Sequence, residues 1–167
     1  MPVRLEEKIG VLLRECGKKI SVAESCTGGL VCHWITEVAG SSDYFERGVV
    51  SYSNRSKVSL LNVSPHTLER FGAVSPETAE EMARGIRQVS GADLGVSTTG
   101  IAGPGGGSKE KPVGLVYVGL SAGDETVCRR FVFRGSRQEI KIGASEAALR
   151  IAVDCLLSIA RGAKPQE

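Results

Sequence analysis

The sequence predicts an α/β fold, with one mixed, mostly parallel sheet of about five strands between two layers of helices. Short β-prone runs alternate with helical patterns over residues 3–99, which is typical of parallel strands joined by right-handed crossovers. Two later β-prone runs, separated by a turn at residues 122–124, predict an antiparallel hairpin. The chain has 167 residues, of which 41% are hydrophobic and only 5% aromatic, so we expect one aliphatic core.

The first part of the chain alternates helix and strand. Apolar residues at helical spacing predict a helix over residues 3–16. A short strand over residues 19–24 follows, and a turn at residues 25–29 leads into a second helix that ends near Ala39. Residues 48–52 predict the second strand.

Helix start signals come next. Asn54 is a candidate cap for a helix through residue 61, because a short polar side chain can accept hydrogen bonds from the free N–H groups of the first turn. Residues 64–65 and 75–76 each place Ser before Pro, which predicts a short helix and then a longer one ending at Val89.

The last part of the chain contains the remaining strands and a closing helix. Residues 94–99 predict the third strand, and residues 113–120 and 126–133 predict the two strands of the hairpin. Ser136 is a candidate cap for a long helix, whose apolar residues lie between positions 140 and 159.

Charge and composition argue against several classes of function. The 21 basic and 19 acidic residues give a net charge of +2, so the chain lacks the basic surface typical of nucleic-acid-binding proteins. No apolar run approaches the length of a membrane span, and residues 1–19 are too charged for a signal peptide. The five cysteines are scattered, which is typical of free thiols in a reducing cytosol. We therefore expect a cytoplasmic protein without metal or cofactor that binds neither nucleic acid nor membrane.

Three separate segments are expected to meet at one edge of the sheet. In such folds, ligands bind outside the carboxyl ends of the parallel strands. Residues 25–29, 52–57 and 98–108 follow or end the three predicted parallel strands. Their convergence predicts a binding or catalytic site.

Ser25 is the candidate nucleophile in the first segment. It lies between a strand and a helix that begins with two glycines, so free N–H groups of the first helical turn can bind an oxyanion. The alternative is that Ser25 or Thr27 only caps the helix. Cys26 is a rival nucleophile, since a helix N-terminus lowers the pKa of a thiol, but no His or Asp is placed to support it.

The second segment offers a base for that serine. Neither histidine of the chain occupies a strand end, whereas Lys57 does lie in this segment. Its pKa, ordinarily about 10.4, must be lowered by burial or by positive charge from Arg55 or Arg137. Tyr52 can relay a proton between serine and lysine, and Asn54 can bind ligand or orient Lys57. The alternatives are a solvated lysine, a half-buried strand tyrosine and a helix-capping asparagine.

The third segment is rich in glycine over residues 100–108. Such a backbone allows close approach to an anion, although it matches neither common phosphate-binding signature. Lys109, Lys111 and Arg137 can add positive charge for a phosphate. The alternative is a flexible surface loop.

Seven segments occur in a characteristic order along the chain. They are VAESCTGG at 22–29, Gly-Ser-Ser at 40–42, Phe-Glu-Arg-Gly at 45–48, Tyr-Ser-Asn at 52–54 with Lys57, Gly-Ala-Val-Ser at 72–75, the glycine-rich stretch at 100–108, and Lys-Pro-Val-Gly at 111–114. Together they resemble the C-terminal domain of the competence/damage-inducible protein CinA. The similarity covers residues 5–160.

The resemblance implies a three-layer α/β/α sandwich and a single domain over residues 1–167. It also implies nicotinamide-nucleotide amidohydrolase activity, also called NMN deamidase, in which nicotinamide mononucleotide and water give nicotinate mononucleotide and ammonia. Ser25 then matches the nucleophile, and Lys57 and Tyr52 match the proton-transfer partners. Substrate contacts are expected from Cys26, Thr27, Gly28, Asn54, Thr99, Gly100, Gly103, Gly106 and Arg137. The additional N-terminal domain of many family members is not expected here, and a homo-oligomer is left open.

The predicted mechanism is acyl transfer. Neutral Lys57, helped by Tyr52, takes the proton of Ser25, which attacks the carboxamide while N–H groups near Gly28 or Gly100 hold the oxyanion. Two alternatives stay open. One is a non-catalytic nucleotide-binding module linked to competence or the DNA-damage response, and the other is a protein-interaction domain in DNA uptake or repair.

Overall fold

The computed structural model describes residues 4–162 and contains one five-stranded sheet. The strands are β1 (Ile20–Glu24), β2 (Phe45–Val50), β3 (Leu94–Gly100), β4 (Leu115–Ala122) and β5 (Glu125–Val132). The helices are α1 (Leu5–Cys16), α2 (Leu30–Thr36), α3 (Asn54–Leu61), α4 (Pro65–Phe71), α5 (Pro76–Ser90) and α6 (Arg137–Ala160), with a short 3₁₀ helix at Ser41–Asp43.

The strands are arranged in the order β2-β1-β3-β4-β5. β1 pairs in parallel with both β2 and β3, whereas β4 is antiparallel to β3 and to β5. Because β5 reverses the direction of β4, it runs the same way as the first three strands. The mixed, mostly parallel sheet predicted from the sequence is therefore confirmed.

Helices cover both faces of the sheet. α1, α2 and α6 contact one another on one face, while α5, with α3 and α4 against it, covers the other. β1 is buried along its whole length because it lies between these layers in the middle of the parallel strands. On the α5 face, Gly85 approaches the main chain of α3 so closely that an added Cβ would overlap the carbonyl of Leu61.

The boundaries of several elements differ from the prediction, and β4 spans residues 115–122 rather than 113–120. α1 begins at Leu5, and Val3 lies outside the described residues. α2 ends at Thr36 rather than near Ala39, and β2 spans residues 45–50 rather than 48–52. Both differences come from the irregular stretch at residues 37–44, which contains the 3₁₀ helix and returns the chain to the sheet at Phe45.

The predicted cap of α3 is wrong by one residue. Ser53 accepts a hydrogen bond from the Ser56 N–H at 3.1 Å, and Ser56 Oγ accepts from the Ser53 N–H at 3.1 Å. This reciprocal capping box leaves Asn54 as the first helical residue, with an exposed side chain. Ser136 caps α6 as predicted, by accepting from the Glu139 N–H at 3.3 Å.

Candidate active site

The carboxyl ends of β1, β2 and β3 meet at one edge of the sheet. The Ser25 N–H donates to the Thr98 carbonyl at 2.9 Å, and the Ser51 N–H donates to the Glu24 carbonyl at 2.8 Å. The turn after β1 therefore lies directly between the residues that follow β2 and those that end β3. The predicted convergence of the three segments is confirmed.

Ser25 and Lys57 are in direct contact across 32 residues of sequence. Lys57 Nζ lies 3.0 Å from Ser25 Oγ. Both residues are buried, with exposed fractions of 0% for Lys57 and 8% for Ser25. Side chains of a helix lean towards its N-terminus, so Lys57 in the first turns of α3 reaches back to the end of β1.

Two main-chain carbonyls hold the amino group of Lys57. Nζ donates to the carbonyl of Ser51 at 2.7 Å and to that of Tyr52 at 3.4 Å. A neutral amine has two N–H donors and one lone pair. With both donors taken by carbonyls, the lone pair is left for the hydroxyl of Ser25.

Burial sets the protonation of this lysine. Loss of solvent disfavours the charged form and lowers the pKa of Lys57 to about 8. The sequence left open whether burial or positive charge from Arg55 or Arg137 would have this effect, and burial is the main cause. A substantial fraction of Lys57 is therefore neutral near physiological pH.

Cys26 cannot act as the rival nucleophile near neutral pH. Its side chain is packed in the core, and burial raises the pKa of its thiol to about 12. The expected lowering by the helix N-terminus is outweighed, because the thiolate would have to exist without solvent. The only part of Cys26 left to contact a ligand by hydrogen bonding is its main chain.

Two adjacent amide groups beside Ser25 have no hydrogen-bond acceptor in the part of the chain that the structure describes. The N–H groups of Cys26 and Thr27 donate to no atom of residues 4–162. In contrast, the Gly28 N–H donates to the Ser25 carbonyl at 3.1 Å, so this one of the N–H groups expected near Gly28 or Gly100 is already used. The free pair next to the nucleophile is the arrangement that a developing oxyanion requires.

Glu24 is an important residue of the site that the sequence reasoning missed. Its buried carboxylate accepts hydrogen bonds from Thr27 Oγ1 at 2.6 Å and from the N–H groups of Gly29, Val31 and Cys32 at 2.9, 3.2 and 2.8 Å. It thereby satisfies the free amides at the start of α2, where a negative charge is favoured. The available signal was an acidic residue directly before a turn that leads into a glycine-initiated helix.

The hydroxyls of Thr27 and Thr99 are used inside the protein. Thr27 Oγ1 bonds to Glu24 and lies 2.7 Å from Thr98 Oγ1, and Thr99 Oγ1 donates to the Ala73 carbonyl at 2.7 Å. Both threonines are buried. Their hydroxyls are therefore committed within the protein, and a substrate contact of either threonine stays a prediction.

Arg137 joins the second segment to the glycine-rich segment. This first residue of α6 donates from Nη2 to the Tyr52 hydroxyl at 3.1 Å and from Nη1 to the Gly103 carbonyl at 2.7 Å. The Tyr52 side chain is 62% exposed and bonds to Arg137 rather than to Ser25 or Lys57. The predicted relay through Tyr52 is not part of this arrangement, because Lys57 reaches Ser25 directly.

The two lysines that follow the glycine-rich segment have different surroundings. Lys111 Nζ donates to the Phe71 carbonyl at 2.7 Å and so caps the end of α4 instead of facing a ligand. Lys109 is exposed. Gly100 lies so close to β4 that an added Cβ would be 2.6 Å from the Leu115 carbonyl, whereas Gly106, with a φ of 83°, is exposed.

Residues 4–162 lack two other kinds of feature. No set of three or more His, Cys, Asp or Glu side chains in this range is grouped to hold a metal ion. Nor does this range contain a helix with the length and hydropathy needed to cross a membrane.

Comparisons with known proteins agree with these motifs. The family model of the CinA C-terminal domain matches residues 3–156. The CinA-like protein of Chlorobaculum tepidum is 55% identical over 153 residues, covering 89% of this chain and 36% of that protein. The CinA-like protein of Syntrophomonas wolfei is 53% identical over 141 residues, covering 84% and 34%. This chain thus spans about a third of the length of the curated relatives it matches.

A solved structure shows the same fold. The competence/damage inducible protein CihA from Agrobacterium tumefaciens superposes with a TM-score of 0.86 at 41% sequence identity. The superposition covers 94% of this chain and 98% of that one. The likeness therefore extends over nearly the whole of both chains.

Proposed function

This chain belongs to the CinA C-terminal domain family, and from that membership and the site we propose that it hydrolyses the carboxamide of nicotinamide mononucleotide to nicotinate mononucleotide and ammonia. The observation that carries the proposal is the buried contact of 3.0 Å between Lys57 Nζ and Ser25 Oγ. A lysine whose pKa is lowered by burial is a suitable base for a serine nucleophile. The free cysteines support the cytoplasm as the compartment of this reaction.

The proposed reaction begins with transfer of the Ser25 proton to neutral Lys57. Ser25 Oγ then forms a bond to the carboxamide carbon, and the carbonyl electron pair moves onto oxygen. The N–H groups of Cys26 and Thr27 bind this oxyanion, a role that the sequence predicted for N–H groups near Gly28 or Gly100. When the tetrahedral intermediate collapses, the C–N bond breaks and the leaving nitrogen takes a proton and departs as ammonia.

The second half of the reaction repeats these steps with water. Lys57 takes a proton from water, whose oxygen attacks the acyl carbon, and the bond to Ser25 Oγ breaks to release the carboxylate. In the first half, protonated Lys57 passes the proton that it took from Ser25 to the leaving nitrogen, so Lys57 is neutral again when water enters. We assign Tyr52, held by Arg137, to donating a hydrogen bond to that leaving nitrogen. Gly28, Asn54, Gly100, Gly103 and Gly106 are proposed to surround the substrate.

Ammonia release tests the assignment of Ser25 as nucleophile and Lys57 as base, which together form the proposed catalytic dyad. Ser25→Ala and Lys57→Met are expected to lower kcat by roughly a thousandfold or more, because nucleophile and base act as a unit. Ser59→Ala and Lys8→Met replace exposed residues of the same types and should keep wild-type rates. Far-UV circular dichroism of every variant verifies that it folds.

Two outcomes would separate the enzyme from its alternative. If folded Ser25→Ala or Lys57→Met releases ammonia at the wild-type rate, the assigned role of that residue is wrong. If the wild-type protein binds nicotinamide mononucleotide but releases no ammonia, a non-catalytic nucleotide-binding module is the better description. Tyr52→Phe should slow release of the amine without preventing binding.

A further inference from the structure

An open cleft of about 610 Å³ lies between α2 and the first turns of α6. It is lined by Leu30, Trp34, Arg137, Gln138, Lys141 and Ile142. These described lining residues include two cations, and none of them is acidic. The lining therefore combines an apolar wall with positive charge.

Lys141 places one of these charges close to the nucleophile turn. Its Nζ is 3.6 Å from the position that a Cβ on Gly28 would occupy. The Gly28 N–H donates to the Ser25 carbonyl at 3.1 Å, so only one tight turn separates this contact from Ser25. A side chain at position 28 would fill the space between the turn and the amino group.

Lys141 has no acidic partner in the part of the chain that the structure describes. The ion pairs of residues 4–162 all involve other cations, although Lys141 is partly buried. A partly desolvated cation is favoured when an anion shares its site. The arrangement therefore favours a bound anion beside Lys141.

The positive charge of Arg137, the second cation of the cleft, is not neutralised by its hydrogen-bond partners. Arg137 bonds to the Gly103 carbonyl and the Tyr52 hydroxyl, which are both neutral acceptors. Two uncompensated positive charges on one concave surface raise the local concentration of anions. Lys111, which was expected to bind phosphate in the glycine-rich segment, is instead committed to the Phe71 carbonyl.

We propose that this cleft binds the phosphate monoester of the substrate, with Lys141 as its main cation and Arg137 at the boundary with the dyad. The inference rests on the proposed function. If the carboxamide of the mononucleotide lies at Ser25, its phosphate group must lie away from Ser25 and Lys57. Phosphate oxygens accept charge-assisted hydrogen bonds from both lysine and arginine. Trp34 and Leu30 supply the apolar wall beside them.

The first test compares substrates with and without phosphate. For each variant, kcat/KM is measured for ammonia release from nicotinamide mononucleotide and from nicotinamide riboside. Lys141→Gln should lower the ratio of the two values by roughly 10- to 100-fold, through a higher KM for the mononucleotide. Arg84→Gln, which removes a positive charge from α5 in the opposite helix layer, should keep the wild-type ratio. An unchanged ratio in Lys141→Gln overturns the proposal.

The second test measures binding without catalysis. Trp34 is the single tryptophan of the chain and lines the cleft, so its fluorescence reports occupancy. Nicotinamide mononucleotide and inorganic phosphate should each change this fluorescence in a saturable way, with weaker binding in Lys141→Gln. Binding that depends on Lys141 without any ammonia release would support the cleft and contradict the proposed hydrolysis. Equal binding of both ligands by wild type and Lys141→Gln would contradict the cleft alone.

Discussion

The protonation of Lys57 leads to a quantitative prediction for the pH dependence of the proposed reaction. Burial lowers its pKa from 10.5 to about 8. At pH 7, this lowering raises the neutral fraction about 300-fold, to about a tenth of the molecules. At pH 9 about nine-tenths are neutral, so kcat/KM should increase roughly tenfold from pH 7 to pH 9 and then level off.

The assay is initial-rate ammonia release from nicotinamide mononucleotide across pH 6–10. A tenfold rise with a midpoint near the pKa of Lys57 supports its role as the base. A flat profile between pH 7 and pH 9 in the wild-type protein would refute the reasoning. Ser25→Ala serves as the control, because background hydrolysis of the substrate must not show the same midpoint.

The same lysine affects stability, which provides a measurement that is independent of catalysis. Between pH 8 and pH 10.5 the unfolded chain holds a proton on Lys57 that the folded protein has lost, so folding stability rises with pH across this window. Below pH 8, the folded protein bears the full cost of about 3 kcal/mol for burying the charged form of Lys57. The difference in unfolding free energy between wild type and Lys57→Met, from urea titrations, should grow in favour of wild type by that amount.

Three further predictions concern packing and reactivity. Glu24→Gln should lower the free energy of unfolding by about 3 kcal/mol, because an amide NH₂ would face N–H donors, and an unchanged urea midpoint would contradict this. Gly85→Ala should lower the free energy of unfolding by about 1–3 kcal/mol, and with it the melting temperature, because the added Cβ overlaps the Leu61 carbonyl. Gly105→Ala places its Cβ in open space and should leave the melting temperature nearly unchanged. Equal melting temperatures would count against that packing. Cys26 should resist thiol reagents at pH 8 until denaturant is added, as peptide mass spectrometry can verify; rapid native labelling would show that its burial is wrong.

The meeting of Ser25 and Lys57 was predictable because it depends on topology. Alternation of helices and strands implies parallel pairing, and parallel pairing places the carboxyl ends of the strands at one edge. β1 does pair with both β2 and β3, so the residues that follow these strands converge. The choice of lysine over histidine followed from the absence of any histidine in those segments.

The individual side-chain contacts at the site could not be predicted from the sequence. The hydroxyl of Thr27 faces Glu24 instead of the ligand, and Lys111 reaches the end of α4 instead of a phosphate. Such choices depend on side-chain direction and on which buried groups need a partner, and hydrophobic periodicity contains neither. Glu24 was missed because its one sequence signal, an acidic residue directly before the turn into a glycine-initiated helix, does not reveal that the carboxylate is buried.

The carbonyls that orient Lys57 have a consequence for genetics. In many hydrolases the base is aligned by a third side chain, which mutation can remove. Here the carbonyls of Ser51 and Tyr52 do that work, and every amino acid carries the same group. A saturation mutagenesis screen would therefore identify Ser25 and Lys57 as essential. It would find no position whose side chain orients the base, although nucleophile, base and orienting group are all present. Selection can alter residue 51 without losing the alignment of the base, whereas residue 52 is also restricted by the proposed role of the Tyr52 hydroxyl.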